Sequence, residues 1–183
     1  MVAGTARGRR LSAPAGSGTR PTSDRVREAV FNALGSAGAV VDAEVLDAFA
    51  GSGALGIEAL SRGAARCTFV ERYRAARVVV EANLASTGLE DRARVIDGDA
   101  LGHLARPGPD YDLVLCDPPH DHDRWDDLLD AVAGRLHPDG VVVVESDRPV
   151  VGDDHARWAV TREKRYGGTV VQMVSRRTTE APR

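Results

Sequence analysis

The stretch Val45-Leu-Asp-Ala-Phe-Ala-Gly-Ser-Gly-Ala-Leu-Gly56 runs from a short apolar segment through a glycine-rich turn into a helical pattern. Strand, tight turn and helix in that order make the first half of a βα unit. The arrangement recurs downstream. Segments 67–71 (CTFVE), 93–97 (ARVID), 112–117 (DLVLCD) and 141–146 (VVVVES) read as further strands, with helices expected at about 54–62, across Ala76–Leu84, around 100–105 and across Leu128–Leu136. Apolar runs with little alternation are strands buried on both faces, which points to a parallel sheet covered by helices. His137-Pro138-Asp139-Gly140 reads as a turn before the fifth strand. After Pro149 the helical patterns stop, and 157–163 and 169–175 read as an antiparallel hairpin around Arg165-Tyr166-Gly167-Gly168.

Upstream, Val26, Ala29, Val30, Ala33 and Leu34 form one helical face, which Thr22 or Ser23 can cap and Gly35 can close. Arg25 and Arg27 are read as flanking that stripe. Residues 1–21 are rich in Gly, Pro, Ser and Arg and are expected to form a basic arm, extended or mobile, ahead of a single domain over 22–183. The 183 residues suit one domain, and 43% hydrophobic residues suffice for a core. No apolar run approaches the roughly 18–20 residues that cross a bilayer, and no secretory pattern opens the chain. Cys67 and Cys116 sit in apolar runs without metal-ligand spacing, as buried thiols of a reducing compartment do. No metal, no membrane and a cytoplasmic setting are therefore expected.

The net charge of −3 conceals a segregation: residues 1–30 and 161–183 each carry +4, leaving −11 between them. Basic ends suit a polyanion at the periphery, and an acidic centre suits a cationic ligand.

The acids decide what the glycine turn holds. Gly51, Gly53 and Gly56 fit G-x-G-x-x-G, and Glu71 follows about 20 residues on, which alone suggests a dinucleotide. A pyrophosphate wants no carboxylate nearby. Yet Asp47, Glu71, Asp97 or Asp99, and Asp117 all fall at the ends of successive strands, which in a parallel sheet line one crevice. One such acid could be a solvated loop carboxylate; four in register suit S-adenosylmethionine, with its sulfonium, ammonium, ribose diol and adenine amine. Glu71 fits the ribose hydroxyls and Asp99 the adenine amine.

Asp117-Pro118-Pro119-His120 follows the fourth strand. Two prolines fix φ and remove donors, so the turn is rigid. The Asp117 carboxylate and Pro118 carbonyl can each accept one hydrogen of an amine, orienting its nitrogen for in-line attack. Neither cysteine stands where a nucleophile is needed.

The chain resembles the RsmD-type methyltransferases, bacterial enzymes of the N2 amine of a guanine in small-subunit (16S) ribosomal RNA. The resemblance runs nearly end to end: Gly8-Arg9-Arg10-Leu11, Arg20-Pro21-Thr22-x-Asp24-Arg25-Val26-Arg27-Glu28-Ala29, Leu46 through Gly63, and Asp117-Pro118-Pro119. It implies a Rossmann-like, mostly parallel seven-stranded sheet ending in an antiparallel hairpin, S-adenosylmethionine as cofactor, the small subunit or its assembly intermediate as substrate, and a monomer. It would put Asp47, Phe49, Gly51, Ser52, Gly53, Glu71, Asp99 and Ala100 at the cofactor and Asp117, Pro118, Pro119 and His120 at the target amine. Where the family has Phe or Tyr after Asp-Pro-Pro this chain has His120, in the run His-Asp-His-Asp read as a solvated loop. Arg9, Arg10, Arg20, Arg25, Arg27 and Arg165 are expected to hold phosphates, with Tyr166 available to stack. Alternatives are an Asp-Pro-Pro amino-methyltransferase acting on DNA or another nucleic acid, and a non-catalytic ribosome-assembly factor.

Overall fold

Period-2 alternation along the strands sends neighbouring side chains to opposite faces, and two separate cores result. The computed structural model describes residues 1–14, 24–119 and 121–177. Its strands are β1 (Glu44–Asp47), β2 (Arg66–Glu71), β3 (Ala93–Asp97), β4 (Tyr111–Cys116), β5 (Leu136–Ser146), β6 (Trp158–Tyr166) and β7 (Thr169–Arg176). The helices are α1 (Asp24–Ser36), α2 (Ala54–Ser61), α3 (Arg74–Thr87), α4 (Ala100–Leu104) and α5 (Trp125–Ala133). Val45, Phe69, Leu113, Leu115 and Val143 pack under α1, α2 and α3. Leu46, Val70, Val114, Cys116, Val142 and Val144 pack under α4 and α5. Among the described residues, no helix is long and apolar enough to cross a membrane.

The seven strands form one sheet in the order β3-β2-β1-β4-β5-β7-β6, parallel through β5, with β7 and β6 antiparallel. This is the expected fold: a Rossmann-like sheet closed by a hairpin, whose two-residue connection Gly167-Gly168 follows the Tyr166↔Thr169 pair. His137–Gly140, expected as a free turn, is drawn into β5 as an irregularity: the β4–β5 register moves from Tyr111↔Leu136 to Leu113↔Val141. Pairing at Leu136 holds both sides of those residues in the ladder. Helix α1 runs past Gly35 to Ser36, and its proposed caps Thr22 and Ser23 lie outside the described residues.

The start of the chain departs from the expected free arm. The backbone N–H groups of Val2 and Ala3 donate to the Glu58 carboxylate at 3.0 and 3.1 Å, Ala6 N–H donates to Ser61 Oγ, and Ala6 is buried. Ser12 N–H reaches Asn83 on α3. Glu58 is 0% exposed and also takes Arg62 Nε at 2.7 Å, with Arg27 Nε 3.7 Å away. Arg27 in turn binds Asp24 at 2.7 Å and is only 4% exposed. The placement of Arg27 beside the stripe and on phosphate is therefore corrected: its guanidinium is buried between α1 and α2 as counter-ion to Glu58.

Removing one partner of a buried ionic cluster strands the others, at a cost of about 3–5 kcal/mol. Glu58→Ala should lower the melting temperature by roughly 10 °C and speed amide exchange at Val2 and Ala3. Thermal melts and hydrogen exchange check both; a melt within about 2 °C of wild type would show the cluster to be dispensable.

Candidate active site

β1 lies between β2 and β4, so the chain leaves it toward one neighbour while the next crossover serves the other. At such a reversal the loops diverge and a crevice opens beyond the carboxyl ends of the strands. The loop between β1 and α2 fills its floor.

Five backbone N–H groups hold that loop. Ala48 N–H and Ala50 N–H donate to Leu115 O and Val70 O, fastening it to both neighbouring strands. Gly51 N–H donates to Glu71 Oε2 at 2.9 Å, while Tyr73 N–H takes Glu71 Oε1 at 2.8 Å. Gly56 N–H donates to Asp47 Oδ2 at 2.9 Å, and Phe49 N–H also bonds that carboxylate. Gly51 and Gly53 have φ of +55° and +78°, the left-handed region that side chains disfavour. Gly56 serves a different need: a Cβ there would lie 2.3 Å from the Phe69 ring and 2.7 Å from Cys67 Sγ, so only glycine lets α2 settle on β2.

The expected cofactor residues thus divide. Phe49, Gly51, Ser52, Gly53 and Glu71 gather along the loop and the end of β2, and each Glu71 oxygen keeps a lone pair beyond its backbone donor. Asp47, 1% exposed, lies beneath the loop as its anchor. Asp99 caps α4, its Oδ1 accepting Gly102 N–H at 2.8 Å, and Ala100 is buried behind it. Of the two acids considered after β3, Asp97 is tied to Arg77 at 2.8 Å.

Asp117 and Pro118 emerge from the end of β4 beside this loop, Pro118 buried and Asp117 half-buried. The Pro119 carbonyl accepts His122 N–H at 2.9 Å. His120 lies outside the described residues, as does Arg20. His122 is not the solvated residue expected: its ring meets Phe49 edge-on at 5.7 Å and Trp125 at 5.0 Å, bridging the loops after β1 and β4. Burial lowers its pKa. The signal for it was Trp125 starting an apolar helix face three residues on. Glu58 and Asn83 were also missed as organising residues, though a lone acid in the apolar α2 and a lone amide on the inner face of α3 are such signals.

Of the expected phosphate ligands, Arg9, Arg10, Arg25 and Arg165 are exposed. Tyr166 is half-buried, packs on the core and carries Lys164 Nζ 5.6 Å from its ring centre, leaving less of its face for a base.

Burial, then repulsion from Asp117 and Glu71, raises the Asp47 pKa to about 7 against the opposing bonds from Gly56 and Phe49. Asp117 and Glu71 thus bring negative charge close to Asp47. A folded-state pKa above the unfolded value means that the native state holds the extra proton, so this contribution is full below about pH 4 and is lost as pH rises toward 7. The stability of wild type relative to Asp47→Asn should fall across that window by up to about 4 kcal/mol. Urea melts at several pH values check this; a flat or rising difference contradicts it. Cys67 and Cys116 are pushed up by burial first and remain thiols.

Residues 1–175 match the family model described as Conserved hypothetical protein 95. Over 182 residues the chain is 40% identical to ribosomal RNA small subunit methyltransferase D of Escherichia coli (strain K12), covering 96% of this chain and 89% of that one. It is 34% identical over 174 residues to the protein of the same name in Haemophilus influenzae, covering 91% and 88%. The solved structure of yhhF from Escherichia coli superposes with a TM-score of 0.83 at 39% identity, over 96% of each chain. A match along nearly the whole length, carried by sequence and fold together, makes this chain a member of the RsmD family of methyltransferases.

Proposed function

We propose that this protein is an S-adenosylmethionine-dependent methyltransferase that modifies the exocyclic N2 amine of a guanine in 16S ribosomal RNA, within the small subunit or its assembly intermediate. The observation that carries the reading is the adjacency of Asp117-Pro118-Pro119, at the end of β4, to the glycine loop after β1 at the strand-order reversal. The relatives' names support the ribosomal RNA substrate.

Glu71, Ser52 and the left-handed Gly51 and Gly53 would hold the cofactor along the loop, with Phe49 beside them and Asp99 and Ala100 at the far end. When bound, S-adenosylmethionine supplies an electrophilic methyl on a sulfonium. Asp117 would accept one amine hydrogen and the Pro118 carbonyl the other, aiming the nitrogen lone pair along the transfer direction. An exocyclic guanine amine is a weak nucleophile because its lone pair is delocalised into the ring. Two acceptors favour the pyramidal, increasingly positive nitrogen of the transition state, and the Asp117 charge stabilises it most as the bond forms. The base must leave its stack to reach that position. Arg9, Arg10, Arg25 and Arg165 would hold phosphates, so affinity should fall steeply with salt. Such an enzyme works as a monomer in the cytoplasm, where small subunits are assembled.

Asp117→Ala should lower methyl transfer from labelled S-adenosylmethionine to unmodified small subunits by at least about 100-fold. S-adenosylhomocysteine affinity by calorimetry should change no more than about threefold, well under the roughly 1.4 kcal/mol of a tenfold shift. Turnover near wild type would remove Asp117 from the amine site.

A further inference from the structure

Asn83 stands on the inner face of α3 and is buried. Its amide nitrogen donates to Ser12 O at 2.9 Å and to Ser52 O at 2.8 Å, while its oxygen accepts Ser12 N–H at 2.8 Å. Both hydrogens of the amide nitrogen are used, and the opposite orientation would set its oxygen against two carbonyls, so one orientation alone satisfies the site. Ser52 is the residue between the two left-handed glycines of the loop. Ser12 follows Arg9 and Arg10, both exposed, by three and two residues. A single side chain thus ties the basic start of the chain to the loop that floors the crevice, across sequence separations of 71 and 31 residues.

We infer that Asn83 is a positioning residue that couples occupancy of the glycine loop to the posture of the basic N-terminal segment. The inference rests on the reading of that loop as the cofactor site. A ligand that fixes the Ser52 peptide fixes the amide bonded to it, and the amide holds Ser12 by two further hydrogen bonds. The coupling is reciprocal: phosphates engaged by Arg9 and Arg10 strengthen cofactor binding by the same factor that the cofactor strengthens theirs. Acceptor RNA and methyl donor would then promote each other's binding, although neither touches Asn83.

The test reads a ratio that a purely structural role leaves unchanged. Amide exchange over residues 9–12 is measured with and without saturating S-adenosylhomocysteine in wild type, Asn83→Ala and Ser12→Pro, after calorimetry has established binding to each. Ser12→Pro removes the Ser12 N–H while keeping Asn83 and its bond to Ser52, so it remains informative if Asn83→Ala folds poorly; its exchange is read at residues 9–11. In wild type, S-adenosylhomocysteine should slow exchange by about fivefold or more. Asn83→Ala should exchange at the same rate with and without it, and Ser12→Pro, which keeps the Ser12 carbonyl as an acceptor for Asn83, should show a smaller slowing than wild type. No binding to wild type would refute the cofactor reading. Binding that leaves wild-type exchange unchanged, or slowing as large in both variants as in wild type, would overturn the coupling and leave the cofactor reading intact.

Discussion

A carboxylate buried at the end of β1 sets the geometry on which the crevice depends. Asp47 is the last residue of the strand at which sheet order reverses, and it receives the Gly56 and Phe49 amides at the two ends of the loop that follows. Backbone donors at a tight turn and a helix start have few partners of their own, and a short acidic side chain beneath them satisfies two at once. Removing that charge from water, close to Glu71 and Asp117, pushes its proton affinity up toward neutrality. The strand end that best supports the loop is therefore also where further negative charge is least welcome. A ligand carrying positive charge relieves that tension, and S-adenosylmethionine meets the requirement.

Around this anchor the fold adds successive ties. Glu71 fastens Gly51 to the end of β2, and Asn83 fastens Ser52 to α3. Glu58 fastens the first residues of the chain to α2, with Arg27 and Arg62 as its counter-ions. The basic start of the protein is consequently part of the body of the domain up to Ser12, and its exposed arginines project from a fixed base. That arrangement suits recognition of a folded RNA by shape and phosphate position more than by base stacking, since aromatic residues are only 4% of the chain.

Much of this was legible in the residues. The strands declared themselves because apolar runs buried on both faces leave a plain pattern, and the terminal hairpin followed from the loss of helical periodicity after Pro149. The glycine loop and Asp-Pro-Pro were readable because local backbone geometry demands those residue types. What escaped depended on partners far along the chain. Arg27 lies beside an apolar stripe in any helical projection, and only the packing of α1 against a buried Glu58 draws it inside. His122 sat in a run of polar residues that looks solvated until Phe49 and Trp125 close on it. His137–Gly140 has the composition of a turn, but pairing of Leu136 with Tyr111 on one side and of Val141 with Leu113 on the other keeps it within a strand. Local sequence reports local geometry; pairing across tens of residues is written in no single stretch.

On this reading, an exocyclic amine of RNA would be aimed by Asp117-Pro118-Pro119 at a methyl donor held on the glycine loop. The most direct measurement supplies labelled S-adenosylmethionine to three acceptors, unmodified small subunits, naked ribosomal RNA and duplex DNA, and identifies the labelled nucleoside after digestion. Label recovered as N2-methylguanosine from ribosomal RNA is the predicted result. Label in duplex DNA, on another atom of the RNA, or in no acceptor at all would contradict it.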